Sequence, residues 1–131
     1  MSATPVAGTE SEFLRVHIRA NSDAACDQSV KYAVKDKIVD FLMPVAASCE
    51  TKREAMDKIG TLIEEIEEVA DGVLREHGYL YTAKAKLTRE EFPTRVYEDF
   101  TLESGVYDAL IIELGNAEGA NWWCVIYPPL C

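Results

Sequence analysis

The chain has 131 residues, a net charge of -10 and 48% hydrophobic residues. A chain of this length can build one hydrophobic core without metal or disulfide support, and its apolar fraction excludes a disordered tail. The acidic balance argues against nucleic acid and anionic membrane surfaces, which require concentrated Lys and Arg, and no run of roughly 18 apolar residues offers a bilayer span.

The opening MSATPVAGTE has neither the basic start nor the apolar stretch of a secretory signal. Residues 1–12 read as a flexible lead-in and residues 13–131 as a single globular domain. FLRVHIRA alternates, with Leu14, Val16, Ile18 and Ala20 on one face and Arg15, His17 and Arg19 on the other. That pattern predicts a half-buried strand with a surface or partly stacked histidine. Asn21, Ser22 and Asp23 follow, all residue types that cap helices. Behind them Val30, Val34, Ile38, Phe41, Leu42 and Val45 form a helical stripe, which Pro44 should kink or end. TKRE is a capping-box pattern at Thr51 and Glu54, and Ala55, Ile59, Leu62, Ile66, Val69 and Val73 predict one helix running to a stop at Gly78. The run of Glu64, Glu65, Glu67 and Glu68 reads as its solvated face.

The second half reads as strands. In YLYTAKAKLT, Tyr81, Ala83, Ala85 and Leu87 oppose Thr82, Lys84 and Lys86. FPTRVYEDFTL is a broken or edge segment, because Pro93 cannot donate to a ladder. GVYDALIIEL turns Val106, Leu110, Ile112 and Leu114 inward, GNAEGAN is a loop, and WWCVIYPP is a last strand stopped by Pro128 and Pro129. The order β-α-α-β-β-β-β predicts an α+β fold: a mostly antiparallel sheet with a two-helix hairpin packed on one face.

Catalytic chemistry has few candidates. His17 with Cys124 or Cys131 would make the thiol–imidazole pair of a hydrolase, and Cys26 lies in a first helical turn where the dipole favours thiolate. Neither arrangement matches a hydrolase motif, and a small-molecule-binding domain with an aromatic pocket is a further alternative. There is no Cys-x-x-Cys, His17 and His77 are far apart in sequence, and Gly115 to Gly119 lacks the lysine of a phosphate loop, so no metal or cofactor is expected. Asp99, Glu103, Asp108 and Glu113 read as a solvated rim. Four cysteines leave three fully paired connectivities open, as well as free thiols. The adjacent Trp122 and Trp123 must point to opposite faces of a strand, so one buried face cannot explain both.

RVHIRANSD, DQSVKYAVKDKIVDFL, FPTRVY and NWWCVIYPPLC resemble the stage II sporulation protein R family of spore-forming bacteria, over about Leu14 to Cys131. The chain departs from the family pattern at Tyr97-Glu98 and at Glu103-Ser104-Gly105. The resemblance implies a signal without catalysis of its own. It would be exported to the space between forespore and mother cell, where it activates SpoIIGA, a membrane-embedded aspartic protease that cleaves pro-sigma-E. Cys124 and Cys131 both belong to the shared motif, and in an oxidising space they could close a small ring. If the chain between them stays extended, at roughly 3.3 Å per residue, the sulfurs cannot meet. Cys26 and Cys49, near opposite ends of one predicted helix, should not pair. If the first and last strands are neighbours, Asn21, Ser22 and Asp23 lie beside Asn121, Trp122 and Trp123 and form a compact partner-binding surface, with Trp123 the outward indole.

Overall fold

The computed structural model describes residues 12–131. Its order is β1 (Leu14–Arg19), α1 (Ala25–Ala47), α2 (Lys52–Gly60), α3 (Ile63–Glu76), β2 (Ala83–Phe92), β3 (Arg95–Val96), β4 (Thr101–Leu102), β5 (Gly105–Leu114) and β6 (Asn121–Tyr127). The lead-in expected over residues 1–12 lies outside the described residues apart from Glu12. Four strands form one sheet in the order β2-β5-β1-β6, and β3 and β4 form a separate two-stranded ribbon. β1 runs parallel to β5; β1 with β6 and β2 with β5 are antiparallel. The class is α+β, and no helix among the described residues is long and apolar enough to cross a membrane.

Three helices replace the expected two. The stripe from Ala55 to Val73 is broken after Gly60, where the Thr61 N–H bonds Lys58 O and the Leu62 N–H bonds Ile59 O. Gly60 and Thr61 are adjacent weak helix formers, so a turn tightened to i→i+3 bonds replaces helix there. α2 starts as its box predicts, with the Glu54 N–H donating to Thr51 Oγ1 (3.1 Å), but the Glu54 carboxylate reaches back to the Glu50 N–H (2.8 Å). α3 ends in a Schellman motif: Gly78 takes φ +82°, its N–H meets Arg75 O, and the Tyr79 N–H meets Leu74 O. α1 continues through Pro44 to Ala47. The proline forfeits one bond, the one its N–H would have given to Asp40 O, and the helix ends three residues later. Glu67 is not simply solvated, because its Oε2 accepts the Ala85 N–H at 2.8 Å, as Asp71 Oδ1 accepts the Ala83 N–H. Those two carboxylates cap part of the β2 edge.

The helices cover one face of the sheet. Leu14, Val16 and Ile18 of β1 and Leu110, Ile112 and Leu114 of β5 pack there against Val30, Val34, Ile38, Leu42, Ile59, Ile66 and Leu74. Each such side chain contributes about 1.5–3 kcal/mol by leaving water. The opposite face is also covered, which corrects the half-buried reading of β1: Arg15 is 0% and His17 2% exposed. Phe92, Tyr107, Ala109 and Ile111 form a second, smaller core on that side, with Phe13 and Trp123 packed against it. β1 lies inside the sheet between β5 and β6, so its polar residues are enclosed by neighbours on both sides.

Candidate functional site

Asn21, Ser22 and Asp23 leave the end of β1 and enter a hydrogen-bond junction. They do not cap α1 directly: its N-cap is Ala24, without a side-chain cap bond. Asn21 donates from Nδ2 to Asp27 Oδ2 (2.8 Å) and accepts the Asn116 N–H at Oδ1 (2.7 Å). The Ser22 hydroxyl donates to the same Asp27 oxygen (2.6 Å) and accepts the Ala24 N–H (3.0 Å). Asp23 Oδ1 accepts the Ala120 N–H at 2.7 Å, and the Tyr81 hydroxyl donates to Asp27 Oδ1 at 2.7 Å. The bonds from Ser22, Asn21 and Tyr81 hold the Asp27 carboxyl below the ordinary carboxylate range despite its burial. Burial, and then the bond to Asp27, push the Tyr81 phenol up.

The β5–β6 loop is locked to this junction. The Glu118 N–H bonds Asn21 O (3.1 Å) and the Gly119 N–H bonds Ala20 O (2.9 Å). A Cβ at Gly119 would stand 2.2 Å from the Ser22 carbonyl oxygen, so a side chain does not fit. Lys31, itself buried, reaches the same loop through Ala120 O (3.3 Å). The two motifs singled out in the sequence are therefore brought together. β6 pairs with β1, Arg19 stands opposite Asn121, and the NSD segment abuts the loop leading into Trp122 and Trp123.

The tryptophans divide between the faces. Trp122 is opposite Ile18 on the helix side, with Lys35 Nζ 5.8 Å from its ring centroid. Trp123 is opposite His17 on the second face, its ring 5.2 Å from the imidazole and the Arg95 Cζ 3.9 Å from its own centroid. Both are half-buried, so the expectation of an outward Trp123 is corrected: the β3–β4 ribbon folds over it through Arg95 and through Tyr97, whose hydroxyl donates to Trp123 O at 3.2 Å. Trp123 Nε1, Asn121 Oδ1 and Arg95 Nε are buried without a hydrogen-bond partner among the described residues.

Sequence reasoning missed the polar layer beneath the ribbon. The Arg15 guanidinium lies between the Phe92 and Tyr107 rings, 4.4 and 4.7 Å from their centroids, and donates to Tyr97 Oη (3.2 Å) and Cys124 O (3.4 Å). His17 Nδ1 bonds Glu90, whose other oxygen accepts from Arg19 (3.1 Å), and Arg19 also reaches Glu113 (2.9 Å). Glu113 is thus ion-paired instead of forming a solvated rim, as is Asp108, which meets Lys52 at 2.6 Å and Arg89 at 3.3 Å. Burial would raise the Asp108 carboxyl, but the Lys52 bond and the two cations hold it low.

The thiols are placed away from the imidazole. Cys124 packs in the helix-side core, across the sheet from His17, and is joined to Cys131 by a disulfide with a Cα separation of 6.2 Å. The chain turns through Pro128 and Pro129, and the Val125 N–H meets Cys131 Sγ at 3.1 Å. Cys26 is exposed and Cys49 buried, both free. Among the described residues no three His, Cys, Asp or Glu side chains are grouped to hold a metal.

The fold and these groups define an α+β domain that gathers polar and aromatic side chains at one end of a mixed sheet. The chain belongs to the stage II sporulation protein R family, whose model matches residues 10–131. It is 33% identical over 120 residues to the stage II sporulation protein R of Bacillus subtilis (strain 168), covering 92% of this chain and 54% of that protein. The chain thus spans about half the length of the curated relative it matches. No solved structure matches it.

Proposed function

We propose that this chain is an exported forespore signal that activates a membrane-embedded aspartic protease of the SpoIIGA kind by direct contact, and so leads to cleavage of pro-sigma-E in the mother cell. The observation that carries the reading is the locked junction. Two family motifs roughly a hundred residues apart in sequence are tied by the Asp23–Ala120 hydrogen bond and the Arg19–Asn121 pairing. They fix two half-buried indoles on one short strand, and Trp, Tyr and Arg held in place are the residues on which protein interfaces centre. The Cys124–Cys131 link suits the oxidising space into which such a signal is exported.

The test is co-expression of this chain with the protease and its pro-sigma substrate, scored for cleavage. Wild-type chain should trigger cleavage, and Trp122→Ala or Trp123→Ala should reduce it more than any loss of folded protein explains. Absence of cleavage with folded wild-type chain and a functional protease overturns the reading.

A further inference from the structure

The free edge of β6 is the least explained part of this end of the molecule. β6 is the last strand of its sheet. The Ala20 N–H donates to Ala120 O, so alternation turns the backbone groups of Trp122 toward β1 and those of Asn121 and Trp123 toward the open side. Farther along, the edge is closed, because the disulfide-tied tail places Cys131 Sγ on the Val125 N–H. Tyr97 holds Trp123 O, which leaves the Asn121 N–H, the Asn121 carbonyl and the Trp123 N–H as a short stretch open among the described residues.

Two clefts flank that stretch. On the ribbon side, one is lined by Arg95, Val96, Tyr97, Asn121, Trp122 and Trp123. On the helix side, the other is lined by residues that include Lys35, Val39, Trp122 and Cys124. Successive side chains of a strand point to opposite faces. A strand laid along β6 would therefore send one side chain into each cleft, and each cleft has a tryptophan wall with a cation over it.

The two cations differ. Lys35 is paired with Asp36 at 2.7 Å, whereas Arg95 has no carboxylate within salt-bridge distance among the described residues. In the same cleft stand Trp123 and Asn121, whose indole N–H and Oδ1 have no hydrogen-bond partner among the described residues. In the layer beneath, His17 Nε2 and Arg15 Nη1 also have no partner among the described residues, and these two residues are 2% and 0% exposed. Of these atoms the Trp123 indole N–H and the Arg15 guanidinium N–H are donors without acceptors, which favours a ligand that brings oxygen. In a chain of net charge -10, a guanidinium in the ribbon-side cleft with no carboxylate partner among the described residues gives an acid a place to bind.

We propose that the open edge of β6 at Asn121–Trp123 accepts an extended acidic segment of a partner protein, adding one strand to the sheet with a carboxylate side chain lodged against Arg95. Main-chain bonds to Asn121 and Trp123 give such a complex its affinity, and the two clefts select alternate side chains. The proposal deepens the signalling reading by naming the chemistry of the segment on the protease that meets this chain.

Two arms test it. In the first, the full chain is titrated with a blocked five-residue peptide alternating threonine and glutamate, and separately with its lysine counterpart, while the indole N–H signals are followed by NMR. The chain has two tryptophans, so two signals report. The glutamate peptide should shift the Trp123 signal and the Asn121 and Trp123 amides, the lysine peptide should not, and Arg95→Glu should weaken binding at least about tenfold. Equal response to both peptides, no response, or an unchanged response in Arg95→Glu overturns the proposal. In the second arm, Arg95→Glu should abolish pro-sigma cleavage in co-expression at an unchanged melting temperature, while Lys86→Glu, on the opposite edge strand, should not. Normal cleavage by Arg95→Glu refutes the proposal even if the peptide binds. Peptide binding as expected, with no cleavage by wild-type chain, leaves the edge site standing and removes the protease reading.

Discussion

Asp27 is the hub whose removal tests how the two motifs are held. It accepts from Asn21 (2.8 Å), Ser22 (2.6 Å) and Tyr81 (2.7 Å), and it is 6% exposed. Asp27→Ala leaves three donors without their acceptor in a largely dehydrated site. Hydrogen bonds to charged groups contribute about 1.5–3 kcal/mol each, but Asn21 and Ser22 lie near enough to solvent to recover part of theirs, so the expected total is about 3–4 kcal/mol. The loss of an acid from the first helical turn adds a few tenths. Asp27→Asn keeps one oxygen for Asn21 and Ser22 and turns an amide toward Tyr81, whose hydroxyl can accept; it should cost only about 1 kcal/mol. For a domain of this length 1 kcal/mol is about 4 °C, so the two variants should melt roughly 14 °C and 4 °C below wild type. The pH profile supplies the sign. The folded carboxyl is held below its unfolded value of about 3.9. Its contribution is therefore fully present above that value and lost as pH falls through the lower folded value. Wild type should lose its advantage over Asp27→Asn as pH drops from about 5 toward 2. Denaturant melts across that range decide it. Equal costs for Ala and Asn, or a pH-independent difference between wild type and Asn, would falsify the account of Asp27 as a charged acceptor.

Two further outcomes follow from the same end of the molecule. Gly119→Ala places a Cβ 2.2 Å from the Ser22 carbonyl oxygen, a backbone atom that cannot swing aside, and should cost about 1–3 kcal/mol or displace the loop; an unchanged melting temperature would show that the loop is not seated as described. Cys131→Ser, or reductant on wild type, opens a ring of sequence separation seven and should lower stability by about 2.5 kcal/mol in denaturant melts, with no effect of reductant on the variant.

Much of the helix-side architecture was legible because its pattern is one-sided. The stripes on α1 and α3 and the strand phase of Leu14, Val16 and Ile18 each face one core, and amphipathic periodicity records that directly. The second face was not legible from β1 alone. Arg15 and His17 look solvated in an alternating strand, and they are buried because Phe92, Tyr107 and Trp123, distant in sequence, close over them. A signal was present in β5: Ala109, Leu110, Ile111 and Ile112 run together without alternation, which is the mark of a strand covered on both faces. The helix break after Gly60 was masked by an apolar stripe that continues across it, although Gly60 and Thr61 are both weak helix formers. In sequence Asn21, Ser22 and Asp23 suit capping and loop tethering alike, because both call on short polar side chains; only the arrival of the Asn116 and Ala120 amides separates the two roles.

The doublet of tryptophans makes physical sense only on a strand that is near an edge and covered on both faces. On a sheet with one dry face, one indole would be stranded in water. Here Trp122 leans on α1 and Trp123 lies beneath the β3–β4 ribbon, so each keeps part of its ring in the core and part at the surface. Such half-immobilised rings lose little further rotamer entropy when a partner covers them, a saving of about 0.5–1.5 kcal/mol for each side chain already ordered. The ordering comes from both ends of the strand: Asp27 and Gly119 hold the near end of β6, and the Cys124–Cys131 ring holds and closes the far end. On the edge-binding proposal, loosening the near end through Asp27 or Gly119 should therefore weaken binding of the glutamate peptide without removing an atom of the Asn121–Trp123 edge, whereas changing Arg95 should remove a contact and leave the ends as they are.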